Sequence, residues 1–180
     1  MNVMLNNIVF MGGIHGVGKS TICQRICREL DMEYLSASEL LKWKDINEDS
    51  KNKKVEDIPY TQNRLIGALK NTVQKHKFYI LDGHYCLLNK YSKIENISLD
   101  TFKQINPYLL CLILGDISEI KNRLEARDNK PYEYALLKHL QNSELTYAKS
   151  LSKMLIVPLQ TGKSDDYLNI LDSIRKTNKK

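Results

Sequence analysis

Long hydrophobic runs are missing from this sequence. No stretch approaches the roughly 18 consecutive apolar residues that a membrane-spanning helix needs, so no membrane partner is expected. Met1 to Asn7 carries neither a basic leader region nor a small-residue cleavage site. No leader is expected and a cytoplasmic location follows. Cysteine is scarce: Cys23, Cys27, Cys86 and Cys111 are the only four. Cys23 and Cys27 fall one helical turn apart, but no second pair follows at metal-ligand spacing, so free thiols acting as small core hydrophobes are expected. No cluster interleaves aromatic with basic side chains as single-strand binders do, which makes nucleic acid an unlikely partner. No internal repeat and no low-complexity linker interrupts the chain.

What is present fits one compact domain over 1–180. Hydrophobic residues make up 42 % of the 180, a globular composition. The net charge of +6 suits an anionic ligand. Its one concentrated basic stretch is the terminal 175–180, read as a frayed tail.

Ile8-Val9-Phe10-Met11, closed by Gly12-Gly13, reads as a strand buried on both faces. From Lys19, Ile22, Cys23, Ile26, Cys27 and Leu30 recur at helical spacing. Further strands are expected at Glu33–Leu35, Phe78–Leu81, Tyr108–Leu114 and Met154–Leu159. Helices are expected over Glu39–Trp43 behind Ser36 and Ser38, over Thr61–Lys75, behind Asp116, from Pro131 to about Leu151, and behind Ser164-Asp165-Asp166. The charged stretch 44–58 is read as a mobile segment. Strands alternating with helices give an α/β fold, three layers (α/β/α) around a mainly parallel sheet of about five strands.

Between the first strand and the first helix lies Gly13-Ile14-His15-Gly16-Val17-Gly18-Lys19-Ser20, a complete G-x-x-x-x-G-K-S phosphate-binding loop, or P-loop. Successive backbone N–H groups of such a loop form an anion nest, and the glycines let it approach phosphates closely. ATP is the expected cofactor, held by Gly13, His15, Gly16, Val17, Gly18, Lys19, Ser20 and Thr21. Lys19 reaches the β/γ oxygens, and the Ser20 hydroxyl ligates Mg2+. His15 faces either an acceptor phosphate or solvent, with solvent favoured.

Asp82 ends a buried strand, where open sheets gather ligands, and is read as catalytic, holding a magnesium-bound water or orienting an acceptor, or else as a carboxylate capping the next turn. His84, two residues on, is either an acceptor contact or a structural histidine. Arg123 and Arg127 share a helix face and can clamp phosphate, or they pair with Glu119 and Asp128 on a solvated surface. The polar 127–131 turn beside them suits a short lid. Thr161-Gly162-Lys163-Ser164 is either an ordinary turn or a place where backbone passes an adenine edge.

Taken together, these pieces resemble the P-loop nucleoside monophosphate kinases, and among them the archaeal-type adenylate kinases. The matching pieces are Gly13 to Thr21, Thr61-Gln62-Asn63-Arg64 opening a helix, Asp82-Gly83-His84, Ile105-Asn106-Pro107 and Thr146-Tyr147. The resemblance implies phosphoryl transfer from ATP to a nucleoside monophosphate or similar small acceptor. It implies that Arg64 and the region of Ser36 hold the acceptor, with His84 near it, and that Arg123 and Arg127 act from the lid. A nucleotide-dependent switch or ATPase working on a protein partner is the alternative.

Overall fold

The computed structural model describes residues 6–41, 54–55 and 57–178, with backbone only at 54 and 55. Trp43, most of the expected mobile segment 44–58 and the last two tail residues lie outside the described residues.

The chain opens with β1 (Ile8–Gly12), every residue buried, as a continuous apolar run between two covering layers should be. Asn7 ties its start down, donating through Nδ2 to the carbonyls of Gln74 and Lys77. Helix α1 (Lys19–Leu30) buries Ile22, Cys23, Ile26 and Cys27 along one stripe and ends at Asp31 in the left-handed region. Strand β2 (Glu33–Ser36) runs into a single turn, α2 (Ala37–Leu40), whose N-cap is Ser36 accepting from the Glu39 N–H.

After β3 (Lys54–Val55) comes α3 (Ile58–Thr72), capped by Asp57 and carrying Pro59 in its first turn. Strand β4 (Tyr79–Asp82) is fully buried. A hairpin, β5 (Cys86–Asn89) with β6 (Ile94–Asn96), and a short helix, α4 (Leu99–Ile105), fill a stretch in which no element is expected from local pattern. Then come β7 (Leu109–Leu114), α5 (Ile117–Asp128) capped by Asp116, α6 (Tyr134–Leu155), β8 (Leu159–Lys163) and α7 (Leu168–Asn178).

The main sheet has five strands in the order β2-β4-β1-β7-β8, all parallel. With helices over both faces, this is the three-layer α/β/α arrangement. A small second sheet joins β3 in parallel and β6 antiparallel to β5.

Three expectations change. Met154–Leu159 is not the last strand: α6 continues through Leu155, and Ile156 stops it in the left-handed region at φ 55°. The strand begins at Leu159, so Thr161-Gly162-Lys163 lies within β8 and not in a turn. Gly162 is needed there for packing, because a Cβ would come 2.8 Å from Ile170 of α7. The tail is also more ordered than expected, since α7 runs to Asn178.

The core includes a wedge at the end of β1. Tyr85 is fully buried, donates to the Cys111 carbonyl at 2.9 Å, and packs edge-on to Phe10 and stacked on Phe102. Its ring occupies the space a side chain at position 12 would fill: a Cβ on Gly12 would lie 2.2 Å from it. All four cysteines are free and buried, as expected, and burial pushes each thiol up. No helix among the described residues is long and apolar enough to cross a membrane.

Candidate active site

β1 has β4 on one side and β7 on the other, so the chain reverses its winding direction there. The loop leaving β1 emerges at the crevice this creates outside the carboxyl ends of the strands. The loop needs its glycines. Gly16 and Gly18 have φ of 79° and 93°, and a Cβ at Gly16 would press within 2.8 Å of Leu124. Ile14 and Val17 are buried and anchor the loop to the core. Gly18 is the N-cap of α1, so the helix's positive end joins the nest.

Lys19 and Asp82 meet at the mouth of this loop. Their Nζ and Oδ1 are 2.7 Å apart, and both side chains are buried. The other oxygen of Asp82 accepts from the Ser20 hydroxyl at 2.7 Å and from the Tyr34 hydroxyl at 2.9 Å. Burial alone would push the Asp82 carboxyl up. The Lys19 ammonium and the three hydrogen bonds outweigh it and hold the group below the usual carboxylate range. Tyr34 is a partner that the sequence does not single out, and burial raises its own hydroxyl.

A second polar group sits behind the loop. The His15 ring lies 4.3 Å from that of His84, so His15 is half-buried against a neighbour rather than pointing to solvent. His84 Nδ1 is 3.3 Å from Oε1 of Glu144 on α6. The same oxygen receives the backbone N–H groups of Tyr85 and Cys86. Glu144 is wholly buried, and its Oε2 has no hydrogen-bond partner among the described residues. Burial pushes its carboxyl up to about 7, against the Lys19 charge and the N–H groups of Cys86, Tyr85 and Gly13.

Glu144 is not among the residues expected at the site. A signal for it exists: Leu137, Leu140, Ala148 and Leu151 form the buried stripe of α6, and an acid falls in its middle.

From the loop a cavity of about 260 Å³ opens toward α2, α3 and α4. His15, Lys19, Asp82 and His84 stand on its wall, with Arg127. Ser36, Ser38, Thr61 and Gln62 contribute polar groups from α3 and the β2–α2 junction. Phe10, Leu65, Phe102 and Ile105 supply much of the apolar wall. The volume falls just below the roughly 300–1,000 Å³ usual for small-molecule sites.

Arg64 is not brought in. It sits on the exposed side of α3, with its guanidinium 5.9 Å from the Tyr60 ring centre. The helical spacing that aims Thr61, Gln62 and Leu65 inward turns position 64 away.

The two arginines of α5 are placed differently. Arg123 is exposed, bonds the Glu119 carbonyl through Nε, and would meet a Cβ on Gly18 at 3.8 Å, so it stands beside the loop. Arg127 lines the cavity while its fork holds the Asp128 carboxylate at 2.6 and 2.8 Å. The turn after Asp128 is pinned: Tyr132 donates its hydroxyl to Asp128 and its N–H to Glu125. Helix α6 starts beyond it at Tyr134, later than expected.

The residues present fit a nucleotide with Mg2+. The loop is a glycine-dependent anion nest, and Ser20 and Asp82 set two hard oxygens side by side. Among the described residues no group of three His, Cys, Asp or Glu could hold an ion by itself. Mg2+ usually takes one or two protein oxygens and keeps phosphate oxygens and water.

A family model described as an AAA domain matches residues 12–141, from the end of β1 into α6. No curated protein matches the sequence. Among solved structures, a shikimate kinase from Aquifex aeolicus vf5 shares the fold at a TM-score of 0.57 and 15 % identity, over 96 % of each chain. A gluconokinase from Sinorhizobium meliloti 1021 does so at 0.55 and 13 %, over 97 % of this chain and 89 % of its own.

Proposed function

Starting from a chain that belongs to the AAA domain family, we propose an ATP-dependent kinase that phosphorylates a small molecule bound in the cavity beside the P-loop, with a nucleoside monophosphate as the acceptor. One observation carries this reading. The Lys19–Asp82–Ser20 cluster stands on the wall of a cavity lined by α2, α3 and α4, so a bound phosphate chain and a second molecule would share one chamber. The two solved structures on this fold are named as a gluconokinase and a shikimate kinase, which supports a small-molecule kinase without bearing on the choice of acceptor.

In this reading the P-loop N–H groups and α1 bind the β- and γ-phosphates. Lys19 leaves Asp82 for the phosphate oxygens. Asp82 and Ser20 turn their oxygens to the nucleotide's Mg2+, which neutralises phosphate charge when bound. His15 and His84 face the acceptor's reacting end, and Ser36 borders it. Arg127, released from Asp128, and Arg123 close over the transferring group. Catalysis is alignment and charge neutralisation, with no covalent enzyme intermediate.

The test is ADP formation with ATP and Mg2+ against a panel of nucleoside monophosphates, sugars and small hydroxy acids. A monophosphate that accelerates ADP formation well above the basal rate supports the reading. Acceleration only by a sugar or hydroxy acid keeps the kinase and replaces the acceptor. No acceleration by any of them transfers the site to a nucleotide switch.

A further inference from the structure

We infer that Gln62 selects the acceptor by hydrogen-bonding the edge of a nucleobase that carries an amino group, as adenine and cytosine do. The inference rests on the acceptor-cavity reading above. Gln62 lies on α3, is only 6 % exposed, and lines the cavity. Its Oε1 is buried and has no hydrogen-bond partner among the described residues.

The other polar groups on this side are engaged. Thr61 donates to the Asp57 carbonyl at 2.7 Å, and the Ser36 and Ser38 hydroxyls hydrogen-bond each other at 2.9 Å. Neither these neighbours nor bulk solvent satisfies the Gln62 oxygen, and buried polar groups rarely stay so. A donor delivered by a ligand completes it.

The rest of the wall narrows the chemistry. Phe10, Leu65, Phe102 and Ile105 present apolar surface. A polyol would leave several hydroxyls unpaired against it. A flat heteroaromatic ring with one polar edge would not. A carboxamide pairs with a donor next to an acceptor, which is the pattern of an amino group beside a ring nitrogen. With the carboxamide oriented as the structure has it, Oε1 would meet the amino group and Nε2 the ring nitrogen, whereas a carbonyl beside a ring N–H, as in hypoxanthine or uracil, would set acceptor against acceptor and donor against donor.

The experiment is equilibrium titration of the protein with AMP, IMP, CMP and UMP by calorimetry, for the parent, Gln62→Met and Gln62→Glu. It needs no turnover, so it separates this inference from the kinase reading. The parent should prefer AMP to IMP, or CMP to UMP, by about 10- to 100-fold, because in IMP and UMP a carbonyl oxygen takes the place of the amino group and would face Oε1 unpaired.

Gln62→Met, similar in size but without the carboxamide, should bring each pair to within about threefold. Gln62→Glu keeps an acceptor oxygen and should retain part of the preference. Gln62→Met should also melt no lower than the parent without ligand, since it removes an unpaired buried oxygen. Binding with the preference but no turnover would sink the kinase reading and leave this one standing. A parent that does not discriminate, a Gln62→Met protein that still does, or no binding of any monophosphate would overturn it.

Discussion

Replacing Glu144 by glutamine should make the protein more stable, relative to the parent, as pH rises. The parent buries a carboxyl whose Oε1 meets two backbone N–H groups and His84, with Oε2 left unpartnered among the described residues. Burial moves its titration from 4.5 to about 7. The folded state therefore holds this proton to higher pH than the unfolded chain does. Between those two values the folded state binds more protons, so the parent loses stability as pH climbs through the window and levels off above it.

A titration displaced by one pH step of tenfold proton activity corresponds to about 1.36 kcal/mol, so the full loss is roughly 3 kcal/mol. Glutamine keeps the oxygen that accepts from Tyr85 and Cys86 and cannot ionise. Any fixed cost of the substitution is the same at every pH. Urea unfolding of both proteins at pH 4.5, 6 and 8 should show the mutant gaining on the parent by roughly 3 kcal/mol across the series. A gap that stays constant would refute the argument. A gap moving in the parent's favour would mean that His84 holds Glu144 ionised.

Other outcomes are expected around the phosphate loop. Lys19→Ala should abolish nucleotide-dependent activity while circular dichroism stays that of the parent; unchanged ATP affinity and turnover would remove the P-loop role. Asp82→Asn should cost far more in turnover than in ATP affinity, and a protein that turns over normally but melts much earlier would make Asp82 a structural partner of Lys19. Arg123→Ala and Arg127→Ala should each lower phosphoryl transfer about ten- to a thousandfold, about 1.4–4 kcal/mol, with ATP affinity nearly intact. Arg127→Lys should rescue poorly because it lacks the planar fork. Rates within about twofold of the parent in all three would leave these arginines to their pairs with Glu119 and Asp128.

Much of this architecture is legible in the sequence because strong local signals agree with the fold. The apolar run before Gly12, the glycine loop and the α1 stripe each have one physical solution, and they place Lys19 and Ser20 without further help. Asp82 is legible as a strand end, but its partnership with Tyr34 depends on β2 pairing with β4, which no local pattern reveals. The β5–β6 hairpin escapes because its strands are short and only partly buried, so neither alternation nor a continuous run marks them. Ile156-Val157-Pro158 looks like strand on propensity. A left-handed Ile156 at a helix end, 91 % exposed, is a tertiary outcome that propensity does not carry. Arg64 points inward only by the resemblance, while its own helical phase turns it out.

The central position of β1 sets an order of events during synthesis. Ile8 waits for Tyr79 and Val9 waits for Leu109 before either can complete its ladder. At about 5–20 residues per second, roughly 5–20 s separate the appearance of Val9 from that of Leu109. Until then a fully buried apolar strand of the main sheet has an open edge, and pairing across such separations is slow. A chain released before β7 would carry that edge permanently. C-terminal truncations upstream of Leu109 should therefore aggregate or be degraded, whereas loss of the last turn of α7 should leave a folded sheet.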